Sequence, residues 1–156
     1  MAINRVILLA SAALLGTPAG AQMVAAKDPQ TLVAALQAKG YQAELGESGG
    51  EPRIKSGAGG VAFSIYFDNC TAGAACKTIS FVTGFTDVDA TLAAVNEWNA
   101  KNRFAHAYID AEQDPMLRMD VDLDHQGIPR ANFGEYLDIW ASLVPKFLNY
   151  LRQDGK

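Results

Sequence analysis

The sequence predicts an α+β domain in which an antiparallel sheet of about five or six strands is packed with three helices. Three observations carry that prediction. Apolar and polar residues alternate from Val61 to Phe67 and from Leu117 to Asp124, the period of half-buried strands. Apolar residues recur every three or four positions from Phe133 to Leu151, the stripe of an amphipathic helix. Short turn-forming clusters, ESGGEP, GAGG and EQDP, separate strand-like segments closely enough to join them as hairpins.

The chain has 156 residues, the length of one domain with one core. Its first segment reads as a leader. Met1 to Arg5 carries one positive charge, Val6 to Gly16 is small and apolar, and Ala19-Gly20-Ala21 forms an A-x-A cleavage site. Residues 1–21 are therefore expected to be a secretory signal peptide cut after Ala21, which makes the protein periplasmic or secreted. No later stretch approaches the roughly 20 apolar residues of a membrane helix, so no integral membrane segment is expected after cleavage. Of 13 Lys plus Arg, removal of Arg5 leaves 12 against 17 Asp plus Glu, a net charge of −5. With no basic run, nucleic acid is not expected as a partner, and the acidity reads as solubility.

Residues 22–27 read as a flexible lead-in to a single domain over residues 28–156. Asp28-Pro29 supplies an N-cap and a proline at the first helical position, and Leu32, Val33 and Leu36 share a face until Gly40 ends the first helix. Tyr41, Ala43 and Leu45 alternate as a strand, and Arg53 to Ser56 makes a second, short one. The glycines of Gly57 to Gly60 lack the Lys-Ser/Thr of a phosphate-binding loop and precede a strand, so they read as a hairpin turn. Val61, Phe63, Ile65 and Phe67 point one way, and Ile79 and Phe81 repeat the pattern, so the two segments should pair as a hairpin. Between them stand Cys70 and Cys76. In an exported protein a disulfide closing that loop is the expectation, since no further Cys or His nearby suggests a metal and the spacing is not C-x-x-C.

A second helix is expected from a cap at Thr86 or Asp87, with Val88, Leu92, Val95 and Asn99 on one stripe and Trp98 as a core anchor whose indole is hydrogen-bonded. Two strands follow, RFAHAYID and DPMLRMDVDLD. A four-residue connection over Ala111 to Asp114 would set Asp110 against Pro115, Tyr108 against Leu117, His106 against Met119 and Phe104 against Val121 on the apolar face. His106 then reads as a core histidine. Asp120, Asp122 and Asp124 resemble a hard-cation site, but the calcium-loop pattern needs Gly and an acid where His125 and Ala131 stand, so they read as the wet face of a strand.

The last helix is expected from Pro129 onward. Phe133, Leu137, Trp140, Val144, Phe147 and Leu151 form its buried stripe, and Pro145 should kink or break it near Val144. Tyr136, Leu143 and Tyr150 lie to one flank of that stripe and are a candidate partner surface.

SIYF at Ser64 to Phe67, NEWN at Asn96 to Asn99, RFAHAYID at Arg103 to Asp110, DPMLRMDVDLD at Asp114 to Asp124, and the DIW of the last helix resemble the YbjN domain family. Its members are described as putative bacterial sensory transduction regulators. The resemblance covers Asp28 to about Tyr150. That family is similar in fold to type III secretion chaperones, small α+β proteins that bind partner chains and are commonly dimers. What the resemblance implies is that fold, a binding or regulatory role, self-association or an unknown protein partner, no cofactor, and no catalytic residue to carry over.

Two functions are therefore expected in order. The first is an exported, non-catalytic binding or regulatory protein acting through protein contact in signalling or stress response. The second is a periplasmic small-ligand or cation binder using Tyr108, His106 or the aspartate face. A hydrolase would need G-x-S-x-G, H-E-x-x-H or a spaced His and acid set, which the chain lacks.

Overall fold

In a computed structural model that describes residues 22–153, the chain forms three helices, one sheet of six strands and one of two. The expected leader at residues 1–21 lies outside the described residues. In chain order the elements are β1 (Met23–Val24), α1 (Pro29–Ala38), β2 (Glu44–Ser48), β3 (Glu51–Ala58), β4 (Val61–Asp68), β5 (Thr78–Gly84), α2 (Leu92–Lys101), β6 (His106–Ile109), β7 (Pro115–Asp122), β8 (Ile128–Pro129) and α3 (Arg130–Gln153). The large sheet is antiparallel throughout, in the order β2-β3-β4-β5-β7-β6, while β1 pairs with β8.

Local chemistry accounts for most of the boundaries. The Asp28 carboxylate accepts from the Gln30 amide at 3.2 Å, which caps α1 ahead of Pro29. Gly59 and Gly60 both have positive φ and join β3 to β4 in a two-residue turn, a conformation other residues adopt only with strain.

The core lies between one face of the sheet and the helices. Phe63, Ile65 and Phe67 of β4, Ile79 and Phe81 of β5, and Leu117, Met119 and Val121 of β7 are all buried there. The whole predicted stripe of α3 meets them: Phe133, Leu137, Trp140, Val144, Phe147 and Leu151 are buried. Trp140 stands edge-on to Phe63 at 5.9 Å and tilted on Phe81 at 5.6 Å, and truncating a ring so placed costs about 3–5 kcal/mol.

Several expectations need correction. The lead-in is not free: Val24, Ala25 and Ala26 are buried, and Arg130 N donates to Gln22 O at 2.8 Å, because small apolar side chains fit under the start of α3. Helix α2 starts at Leu92, not near Asp87, because the Thr91 hydroxyl captures the Ala94 amide as a cap. Leu92 is consequently 70 % exposed, off the stripe expected for it. Trp98 is buried as expected and packs on Phe147 at 4.8 Å, but its indole N–H has no acceptor among the described residues. Helix α3 runs unbroken through Pro145, since its buried stripe on both sides of the proline outweighs one missing backbone bond.

The β6–β7 register is also one residue away from expectation. Ile109, not Asp110, faces Pro115, which pairs Ala107 with Leu117 and His106 with Arg118. Asp110 belongs to the turn, where its carboxylate accepts from the amides of Glu112 and Asp114 and its own N–H donates to Asp114 O at 3.0 Å. A slip of one residue exchanges the faces of a strand. Ala105 and Ala107 are therefore buried, while His106 is exposed and Tyr108 half-buried on the opposite face.

Candidate functional site

The sheet face turned away from the helices is lined by the second residue of each alternation: Ser64, Tyr66 and Asp68 on β4, Ser80 and Val82 on β5, Met116, Arg118 and Asp120 on β7, and His106 and Tyr108 on β6. Its centre is a single polar network. Arg118 Nε donates to Asp120 Oδ1 at 2.7 Å, and its Nη2 donates to Ser80 Oγ at 2.6 Å and to Asp68 Oδ2 at 3.4 Å. Ser80 Oγ lies 2.5 Å from Asp68 Oδ2 and 2.7 Å from Asp120 Oδ1. One hydroxyl hydrogen serves one carboxylate at a time, so the guanidinium between them holds both acids in place.

The electrostatics follow from that geometry. Burial works to raise the Asp120 carboxyl, but the Ser80 hydroxyl and the Arg118 guanidinium outweigh it and hold the group below its ordinary value. Burial likewise works against the Arg118 charge, yet Asp120 and Asp68 leave it above its usual range. The Tyr108 phenol is raised, chiefly by burial. Two acids against one guanidinium make the network itself negative by one charge.

A groove of 320 Å³ crosses this face. Tyr66, Tyr108, Val82 and Met116 supply its apolar lining, Arg118 and Asp68 its polar part, and Ser48 and Glu51 close one end. That end is held from outside. Cys70 and Cys76 are joined in a disulfide as expected, and the loop they close leans on the turn between β2 and β3. Gly73 comes so near that a Cβ there would lie 2.7 Å from Gly50 O, so only glycine fits.

The two sheet edges differ. On the β6 edge the Asn99 side chain donates to Ala107 O at 3.0 Å and accepts from Ala107 N at 2.7 Å, standing in for a further strand. The β2 edge carries Glu44 and Glu47 and is largely exposed. Acidic side chains along an open edge discourage pairing with another acidic strand.

The residues singled out from sequence are thus scattered in part. Asp120 and Asp122 are on the wet face as expected, and His106 and Tyr108 join Asp120 there because of the register. Leu143, offered as partner surface, is buried at 8 % exposure. Tyr150 lies against Trp98 at 5.6 Å with its hydroxyl on Ala94 O at 3.0 Å, so both belong to the packing between α2 and α3. Tyr136 is half-buried and lines a separate hollow with Phe104. Sequence reasoning missed Ser80, Asp68 and Arg118. Arg118 was findable as the one cation among the outward residues of β7, whereas nothing near Ser80 announces its partners.

The chain is thus an α+β domain with one sheet face under helices, the other open and polar, and one edge capped from its own helix α2. The chain belongs to the YbjN family, described as "Putative bacterial sensory transduction regulator", which matches residues 28–153. That is a regulator family, consistent with a regulatory role. No curated protein matches the chain at a significant level. Among the described residues no helix is long and apolar enough to cross a membrane, and no cluster of three or more His, Cys, Asp or Glu could hold a metal ion.

Proposed function

We propose that this protein is an exported, non-catalytic regulator that works by holding a segment of another protein in the groove on its open sheet face. The observation that carries the reading is the groove itself, with two tyrosines and a methionine around a locked Arg118. Aromatic and methionine side chains give contact area at small entropic cost, and a rigid polar floor orients what lies on it. The acidic network favours a segment that pairs apolar with cationic side chains. Export is supported by the leader pattern of residues 1–21 and by the Cys70–Cys76 disulfide, which suits an oxidising compartment.

The test places a photo-activatable side chain at Val82 or Met116 and, as a control, at the exposed Leu92. A discrete protein adduct at the groove positions alone, lost on Tyr108→Ala, is the expected result. Equal adducts at Leu92, or none in the native compartment, would overturn the reading. A small-ligand reading is favoured by one observation, that His106 and Tyr108 stand on the same face with rings 6.1 Å apart. A small molecule retained in native mass spectra without any protein adduct would favour it.

A further inference from the structure

We propose that a hollow between α2 and α3 binds a small aromatic monocarboxylate. The hollow measures 480 Å³, within the range of ligand sites, and is lined by Glu97, Trp98, Lys101, Asn102, Lys146 and Tyr150. Glu97 and Lys101 stand one turn apart on α2 and form an ion pair, and the Tyr150 hydroxyl lies 3.3 Å from Glu97 Oε2. The carboxylate of Glu97 is therefore answered within the chain. Lys146 has no such answer. Its exposed ammonium donates to the neutral Asn102 Oδ1 at 2.7 Å and lies 5.7 Å from the centre of the Trp98 ring, and among the described residues it meets no carboxylate. Two lysines against one glutamate leave the hollow with one positive charge to spare.

A second unmet group belongs to the same wall. Trp98 is 2 % exposed and its indole N–H has no acceptor among the described residues, so a group that satisfies it must enter through the hollow that the ring lines. A carboxylate has two oxygens for these two donors: one accepts from the Lys146 ammonium and the other from the indole N–H. The surplus of a single positive charge favours a monoanion, because a doubly charged phosphate would exceed it and be repelled by Glu97. The Trp98 and Tyr150 rings, 5.6 Å apart, give the hollow an aromatic wall, which suits a flat apolar body behind the carboxylate.

The hollow lies apart from the groove on the open sheet face, so its test is independent of segment binding. Labelled with NMR-visible nitrogen, the chain gives two indole N–H signals, from Trp98 and Trp140, told apart by which is lost in Trp98→Phe or in Trp140→Phe. Trp140 is the internal reference, because its indole also lacks an acceptor but does not line this hollow. Titration with benzoate should move the Trp98 signal downfield in a saturable way and leave that of Trp140 in place. Benzamide, of the same shape without the charge, should move neither. Lys146→Met, a substitution of an exposed side chain, should weaken benzoate binding roughly tenfold or more. A Trp98 signal that stays still, an equal response to benzamide, or unchanged binding in K146M would overturn the proposal. Inorganic phosphate moving the same signal with equal affinity would mark a general anion site and overturn the carboxylate assignment.

Discussion

Ser80 is 1 % exposed on a face that is otherwise wet, because the side chains it binds close over it. Its partners come from β4 and β7, and neither is near it in the chain. The depressed carboxyl of Asp120 makes this network sensitive to acid, with a definite sign. A carboxylate held below its unfolded value of about 3.9 stabilises the fold above that pH, and the stability is lost as pH falls through the folded value. Asp120→Asn should therefore be less stable than the parent at neutral pH, with the gap in thermal midpoint closing below about pH 4. A gap of constant size across the acid range would show that Asp120 is not held by its charge. The side chain is 52 % exposed, so solvent screening keeps the gap small. Alternation in the sequence told which aspartates face water; it could not tell that one of them grips a serine directly opposite it on the neighbouring strand β5.

At the scale of elements, the sheet is kept finite by two different devices. Strand β2 keeps an open edge that carries acid side chains, while β6 is sealed by Asn99 reaching from α2. This gives NEWN a structural meaning: Trp98 turns into the core and Asn99 completes the edge. Asn99→Ala should leave both backbone groups of Ala107 without partners, at a cost of about 1–3 kcal/mol in chemical denaturation. Unchanged stability would show that water replaces the amide. The register of β6 was misread from sequence because the turn after it could be counted as four residues or five. Asp110 decides the count by capping the turn with its own carboxylate, and that bond is invisible to hydrophobic alternation. Helix α3 was legible almost entirely, since its stripe is long and its period unambiguous, and even Pro145 did not interrupt it.

Across the whole molecule, the disulfide loop, the turn between β2 and β3 and the groove form one continuous structure. The bond closes a short loop, for which chain entropy gives about 2–2.5 kcal/mol. Cys70→Ser with Cys76→Ser should lower stability by about that amount in chemical denaturation and leave the core folded. An unfolded double variant would show that the loop carries more of the fold than its size implies. The proposed export and processing are tested at this scale too. Protein recovered from the extracytoplasmic fraction should have the intact mass of a chain starting at Gln22 with no free thiol. A mass that retains Met1 to Ala21, or two alkylated cysteines, would reject that reading.

The sequence by itself determined the class of fold, the α1 cap, the hairpin glycines, the buried stripe of α3 and the family, because these rest on local periodicity and on residues that act through near neighbours. The tertiary structure alone decided which face His106 and Tyr108 occupy, that Leu143 is core, and that Ser80, Arg118, Asp68 and Asp120 form one site. Those outcomes depend on strand register and on contacts between distant segments, and in a sheet a shift of one residue exchanges inside for outside.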